Sequence, residues 1–198
     1  MWQRALVPRE PDAPTVVSTF AGGGGSLIGY MMAGYRDLLA VEWDDNAVET
    51  LRLNYPDLDI YHGDIAKLTV DEEVKRTDLQ VGELDILDGS PPCSSFSMAG
   101  NREKDWGKEK KFKEGQSKQV LDTLFFDFID LVEELQPKIA VAENVKGILQ
   151  GEAVKYVAAI YKAFDKAGYT CEHFLLDASK MGVPQKRERV FFICMRKD

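Results

Sequence analysis

The side chain with the most chemistry to offer is Cys93, which follows Ser90–Pro91–Pro92 and precedes Ser94–Ser95–Phe96. Two prolines just ahead of it hold the backbone away from regular structure, which suits a nucleophile better than a core filler. Its reactive form is the thiolate. With a free pKa of about 8.5, only a few per cent is ionised at pH 7, so activation by neighbouring dipoles or cations is expected. A second group, Glu143 in the run AENVKG, falls after the fifth predicted strand. Read alone, a glutamate there caps a helix or forms an ion pair. The third group is the run VPQKRERV, where Gln185, Arg187 and Arg189 alternate and would share one face if the stretch is extended. Read alone, it is a solvated charged turn. The other cysteines, Cys171 and Cys194, sit in apolar, strand-like runs and read as core. With no CxxC pair, and with His62 and His173 far apart, no zinc site is expected.

A ligand site is suggested nearer the N-terminus. The apolar run TVVSTF stops at AGGGGS, and a glycine-rich turn between a strand and a helix lets a backbone approach a nucleotide-like ligand. The dinucleotide pattern GxGxxG is missing, because Leu27 and Ile28 stand where its last glycine would fall. Glu42 ends the second predicted strand, where an acidic residue can meet ribose hydroxyls. Trp43 offers a flat face to an adenine, and Asp64, after the third strand, could accept from its amino group. Singly these read as a cap, a core residue and a turn former. Together, at the ends of three successive strands, they outline an adenosine pocket.

The elements that must position these groups follow from periodicity. Strands are predicted at Thr15–Phe20, Leu38–Trp43, Leu58–Tyr61, Leu84–Leu87 and Ile139–Ala142, with two more at Thr170–Leu176 and Val190–Met195. Helices are predicted over Leu27–Ala33, after Asp44 or Asp45 with Ala47, Val48 and Leu51 inward, over Gln116–Leu135, and over Glu152–Ala167. The expected fold is therefore a doubly wound, Rossmann-like α/β domain. Its sheet has seven mostly parallel strands and an antiparallel hairpin at one edge. One domain, 15–198, is expected after a poorly ordered leader, Met1–Pro14, containing Pro8, Pro11 and Pro14.

Composition narrows the partners. A net charge of −8 excludes a generic nucleic-acid coat, so any DNA contact must use local basic patches. Arg102 to Lys118 is one such patch, with seven basic and four acidic residues, 7 − 4 = +3. No apolar run approaches the roughly 18 residues of a membrane span, and no signal-peptide stretch is seen. A cytoplasmic protein with no membrane partner is expected.

In order and spacing, FAGGGG, EW, GD, SPPC, ENV and QKRER resemble the cytosine-C5 DNA methyltransferases from about Val16 to Ile193. The resemblance implies S-adenosyl-L-methionine as cofactor and S-adenosyl-L-homocysteine as product. Phe20, Gly22, Gly24 and Gly25 would then line the methionine side, with Glu42 and Trp43 at the ribose and adenine. Asp64 and Ile65 would meet the adenine edge, and Pro92 and Leu124 would complete the pocket. It also implies that Cys93 attacks cytosine C6, that Glu143 holds the N3 and N4 edge, and that Arg189 contacts O2. Arg187 and Gln185 would support the loop and the DNA backbone, Ser97 would meet phosphate or loop, and Arg102–Lys118 would close over DNA. The base would have to be flipped from the duplex.

Two departures qualify the resemblance. SPPCSSFS stands where many members have GFPCQPFS, and the chain stops soon after QKRER, where the family continues with a target-recognition region and a final helix. The expectation is an enzyme core of bacterial or phage type that needs a missing or separate recognition part, poorly active alone. A cofactor-binding regulatory module, or methylation of RNA cytosine, stays open at this point.

Overall fold

The computed structural model describes residues 12–92, 123–151 and 153–198. Alternating apolar strands and amphipathic helices assemble into one seven-stranded sheet of order β3-β2-β1-β4-β5-β7-β6. At its centre lies β1, Thr15–Thr19, all five of whose residues are buried, as a strand covered on both faces must be. It pairs in parallel with β2, Arg36–Glu42, and with β4, Ile86–Gly89. Outward from these lie β3, Asp59–His62, beside β2, and β5, Ile139–Val145, beside β4, both also parallel. The last strand, β7 (Glu188–Arg196), inserts antiparallel between β5 and the edge strand β6 (Tyr169–Asp177). The parallel sheet with an antiparallel finish is thus as expected.

Helix α1, Gly25–Met32, and helix α2, Asp45–Asn54, cover one face, packing Leu27, Leu51 and Tyr55 onto Ala40. Asp44 caps α2, accepting from the Asn46 and Ala47 N–H groups at 3.1 and 3.0 Å. The other face carries α4, Leu124–Leu135, and α5, Ala153–Lys166, in the main core with Val17, Val41, Leu87, Ala142 and Phe192. The predicted helix from Gln116 is seen from Leu124 onward; residues 116–122 lie outside the described residues, as do 1–11 of the expected leader. Pro14, assigned to that leader, already accepts the Arg36 N–H at 2.8 Å.

Three features differ from the sequence reading. Strand β5 runs on to Val145, because Val145 pairs with Arg189 of β7, so Glu143 lies within the strand and not beyond it. A charged helix, α3 (Val70–Thr77), was not anticipated; its buried residue is Glu73. Cys194 is core as expected, but Cys171 is only partly buried, and the two face each other across the β6–β7 ladder as a disulfide.

Candidate active site

The glycine turn is shaped first by backbone geometry. Phe20 leaves β1 with φ 53°, followed by Gly22 at 55° and Gly24 at 92°, which reverses the chain into α1. A Cβ on Gly24 would run into the Tyr55 ring, and the Tyr55 hydroxyl donates to the Gly24 carbonyl at 2.9 Å. Among the described residues, nothing lies within 4 Å of a Cβ placed on Gly22 or Gly25, so with respect to them the turn has an open side. Tyr55 was not singled out in the sequence. It stands just past the end of α2, 31 residues from Gly24, and no local pattern joins them.

Glu42 ends β2 and is 8% exposed. One carboxylate oxygen accepts the Gly22 N–H at 2.7 Å; the other accepts the N–H groups of Trp43 and Asp44 at 2.8 and 2.9 Å. It therefore ties the glycine turn to the start of α2. Trp43, beside it, is half-buried. Asp64 caps a 3-10 turn, Ile65–Lys67, accepting the Ala66 N–H at 3.2 Å, and the Ile65 side chain is buried in the core that also holds Leu124. The charge of Asp64 reaches Asp127 on α4, whose carboxyl is raised by burial and then by Asp130 and Asp64. Phe20, Gly22, Gly24, Gly25, Glu42, Trp43, Asp64 and Ile65 are thus set at the C-terminal ends of β1, β2 and β3, the edge where open α/β sheets bind ligands.

On the other side of that edge, Glu143 and Arg189 meet. Arg189 Nε lies 2.8 Å from Glu143 Oε1, and each side chain is 24% exposed. Arg189 also donates to the Glu188 carbonyl at 2.9 Å, while Lys146 pairs with the Glu188 carboxylate at 2.9 Å. Burial raises the Glu143 carboxyl above its ordinary value, opposed by the charges of Arg189 and Arg187. Arg187, just before β7, is exposed but close enough for its charge to reach Glu143. Gln185 is not brought in: it sits in a bend before β7, its N–H bonded to the Val183 carbonyl, so the alternation does not extend to it.

The backbone leading to Cys93 is held by a second residue that sequence reasoning did not single out. Asn144 is buried, and its amide donates to the Pro91 carbonyl at 3.3 Å, joining the ends of β4 and β5. Pro92 is exposed. Cys93, Ser97 and the basic stretch Arg102–Lys118 lie outside the described residues.

Residues 15–198 match the family model of C-5 cytosine-specific DNA methylases. The chain is 35% identical over 192 residues to the Type II methyltransferase M.AquIA of Picosynechococcus, covering 90% of this chain and 70% of that protein. It is 36% identical over 186 residues to M.DdeI of Desulfomicrobium norvegicum, covering 92% of this chain but 41% of that one. A prophage-encoded DNA modification methyltransferase of E. coli superposes with a TM-score of 0.74 at 27% identity, over 93% of this chain and 47% of the other. Spodoptera frugiperda DNMT2, at 21% identity and a TM-score of 0.67, shares the fold. Several relatives are therefore about twice as long as the region they share with it. With the family model spanning its sheet from first strand to last, the chain belongs to the C-5 cytosine-specific DNA methylases.

Proposed function

We propose that this chain is the catalytic and cofactor-binding core of an enzyme that methylates C5 of cytosine in DNA, acting with a target-recognition part from further polypeptide. The observation that carries the reading is the Glu143–Arg189 pair, set on the same edge of one sheet as the glycine turn. A regulatory module that only bound cofactor would have no use for this second, charged site.

The residues at the β1–β3 end fit S-adenosyl-L-methionine. The open side of Gly22 and Gly25 leaves room for its methionine part. Glu42 keeps one lone-pair site for a ribose hydroxyl beyond its three backbone donors, and Trp43 and Asp64, at the ends of β2 and β3, would flank an adenine. Bound there, the cofactor supplies an electrophilic methyl group.

The chain's own residues do the rest. A cytosine flipped out of the duplex, at a few kcal/mol, enters beside Glu143. The Cys93 thiolate forms a bond to C6, and the displaced electron pair makes C5 nucleophilic enough to take the methyl group. Loss of the C5 proton then returns that pair to the ring and expels the thiolate from C6. Glu143, its carboxyl raised by burial, holds the N3 and N4 edge and favours protonation at N3. Arg189 orients Glu143 and would contact the base at O2. Arg187 adds positive charge at the same place.

The test uses duplex DNA with 5-fluorocytosine in place of cytosine and S-adenosyl-L-methionine. The chain is expressed with the polypeptide encoded beside or after it. Fluorine at C5 cannot leave as a proton does, so a covalent adduct should persist on a denaturing gel and vanish in Cys93→Ser. An adduct of equal yield in Cys93→Ser overturns the mechanism. Cofactor binding without any adduct or methyl transfer favours the regulatory module.

A further inference from the structure

Under α1 lies a cluster of buried polar groups that the proposed reaction does not use. Asp88, on β4, is 5% exposed. Its carboxylate accepts from the Tyr30 hydroxyl at 3.2 Å and interacts with the Ser26 side chain, and its main-chain carbonyl accepts from the Thr19 hydroxyl at 2.9 Å. Thr19 is the last residue of β1, and Ser26 and Tyr30 lie one turn apart on α1. Asp88 therefore grips both flanks of the glycine turn from the neighbouring strand.

The position is an expensive one for a carboxylate. Its second oxygen is buried with no hydrogen-bond partner among the described residues, and so are both oxygens of nearby Asp37 and the hydroxyl of Ser18. Burial, with the charge of Glu143 adding to it, raises Asp88 to about 6; burial and the charge of Asp88 raise Asp37 to about 7. An apolar residue such as its neighbours Ile86 and Leu87 would fill a sheet position at less cost. What it could not do is accept from Tyr30 and hold Ser26 beside it, and so fix the azimuth of α1 about its axis.

We infer that Asp88 is a positioning residue for the cofactor: through Ser26 and Tyr30 it orients the first turns of α1, and with them the N–H groups of the glycine turn. The inference rests on the proposed cofactor reading. Asp88 touches no substrate itself. Removing its acceptor oxygens should loosen the geometry of the turn while leaving the fold intact, because α1 stays anchored by Leu27.

The experiment is calorimetric titration of the full chain with S-adenosyl-L-homocysteine, alongside thermal unfolding without ligand. Three variants are compared with the parent. Asp88→Leu should raise Kd by about tenfold or more, as expected for losing the hydrogen bond from Tyr30 and the interaction with Ser26 at a charged group, with unfolding temperature unchanged or higher. Asp88→Asn keeps one carbonyl acceptor and should stay within about threefold of the parent. Tyr30→Phe deletes a single half-buried donor and should fall between the two. Parent-like affinity in both Asp88→Leu and Tyr30→Phe overturns the inference. So does a fall in stability that tracks the loss of affinity across all three variants, since that marks a structural residue only. If the parent itself binds no S-adenosyl-L-homocysteine, the cofactor reading fails first and takes the inference with it.

Discussion

At the β1–β2 end of the sheet, the cofactor turn is tied down by the chain's own backbone and by side chains buried beneath it. Glu42 receives three N–H groups, and Tyr55 holds the Gly24 carbonyl. At the β5–β7 end, the charged groups are held mainly by one another. Glu143 and Arg189 are each a quarter exposed. Beyond them Phe174 and Met195 stand 45% and 59% exposed, on the sheet face away from α5. The first region is built to be stable before ligand arrives. The second keeps its side chains accessible and their charges compensated by one another. On the proposed function the difference would follow from the two tasks: a cofactor is bound again and again in one pose, whereas a flipped base must find donors and acceptors still able to rearrange.

This contrast can be broken by substitutions that should affect one end and spare the other. The largest effect is expected from Glu143→Gln, which should slow single-turnover methyl transfer by about a hundredfold or more, from loss of a charged group at the reacting base. Titration with S-adenosyl-L-homocysteine should give a Kd within about twofold of the parent. A matching loss of cofactor affinity would show that the two ends are not separate.

Next in size, Glu42→Ala strands three N–H groups, each costing about 1–3 kcal/mol when buried and less where water reaches it. Unfolding without ligand should come at least about 5 °C earlier, and cofactor affinity should fall more than about tenfold. An unchanged unfolding temperature would show that water replaces the carboxylate, and the turn would not be built in advance. Gly24→Ala forces a side chain into positive φ and against Tyr55, so affinity should weaken by about tenfold, from a strain of roughly 1–2 kcal/mol. Chemistry on bound cofactor, measured at saturation, should be little altered.

The smallest effect is on pH. Burial raises the Glu73 carboxyl from an ordinary 4.5 to about 8, so between those values the folded chain keeps a proton that the unfolded chain releases. Stability from this group is therefore fully present below about 4.5 and declines as pH rises toward 8. Asp37 and Asp88 act in the same direction. Unfolding temperature should fall by a few degrees, on the order of 5 °C, between pH 5.5 and 8.5, and Glu73→Gln should flatten part of that slope. A parent profile that rises with pH would contradict the burial of Glu73.

The sheet was legible because its strands are short apolar runs bounded by glycine, proline or aspartate, as at TVVSTF before AGGGGS. The antiparallel finish was legible because no helical period separates the last two strands. Helix α3 was hidden by composition. In VDEEVKRT the charged residues outnumber the apolar ones, and the residue that turns inward is a glutamate. The candidate site residues are readable where they sit in contiguous motifs, as with Glu42, Glu143 and Arg189. The groups that hold them were not. Tyr55, Asp88 and Asn144 reach partners 31 to 69 residues away, and nothing local distinguishes them from ordinary tyrosine, aspartate or asparagine. Cys171 and Cys194 likewise become partners only through the register of β6 and β7.

The place of β7 has a consequence for biosynthesis. Glu42, Tyr55 and Asp88 lie within the first ninety residues, so the cofactor end can assemble while most of the chain is still being made. Arg189 belongs to the final strand, which is also the strand that must slot in beside β5 before β6 has a neighbour. The sheet therefore cannot be laid down in chain order. During synthesis Glu143 waits without its arginine until β7 emerges, and the long-range β5–β7 pairing is the step expected to be slow. A nascent chain would thus acquire a hold on its methyl donor well before it could do any chemistry with it.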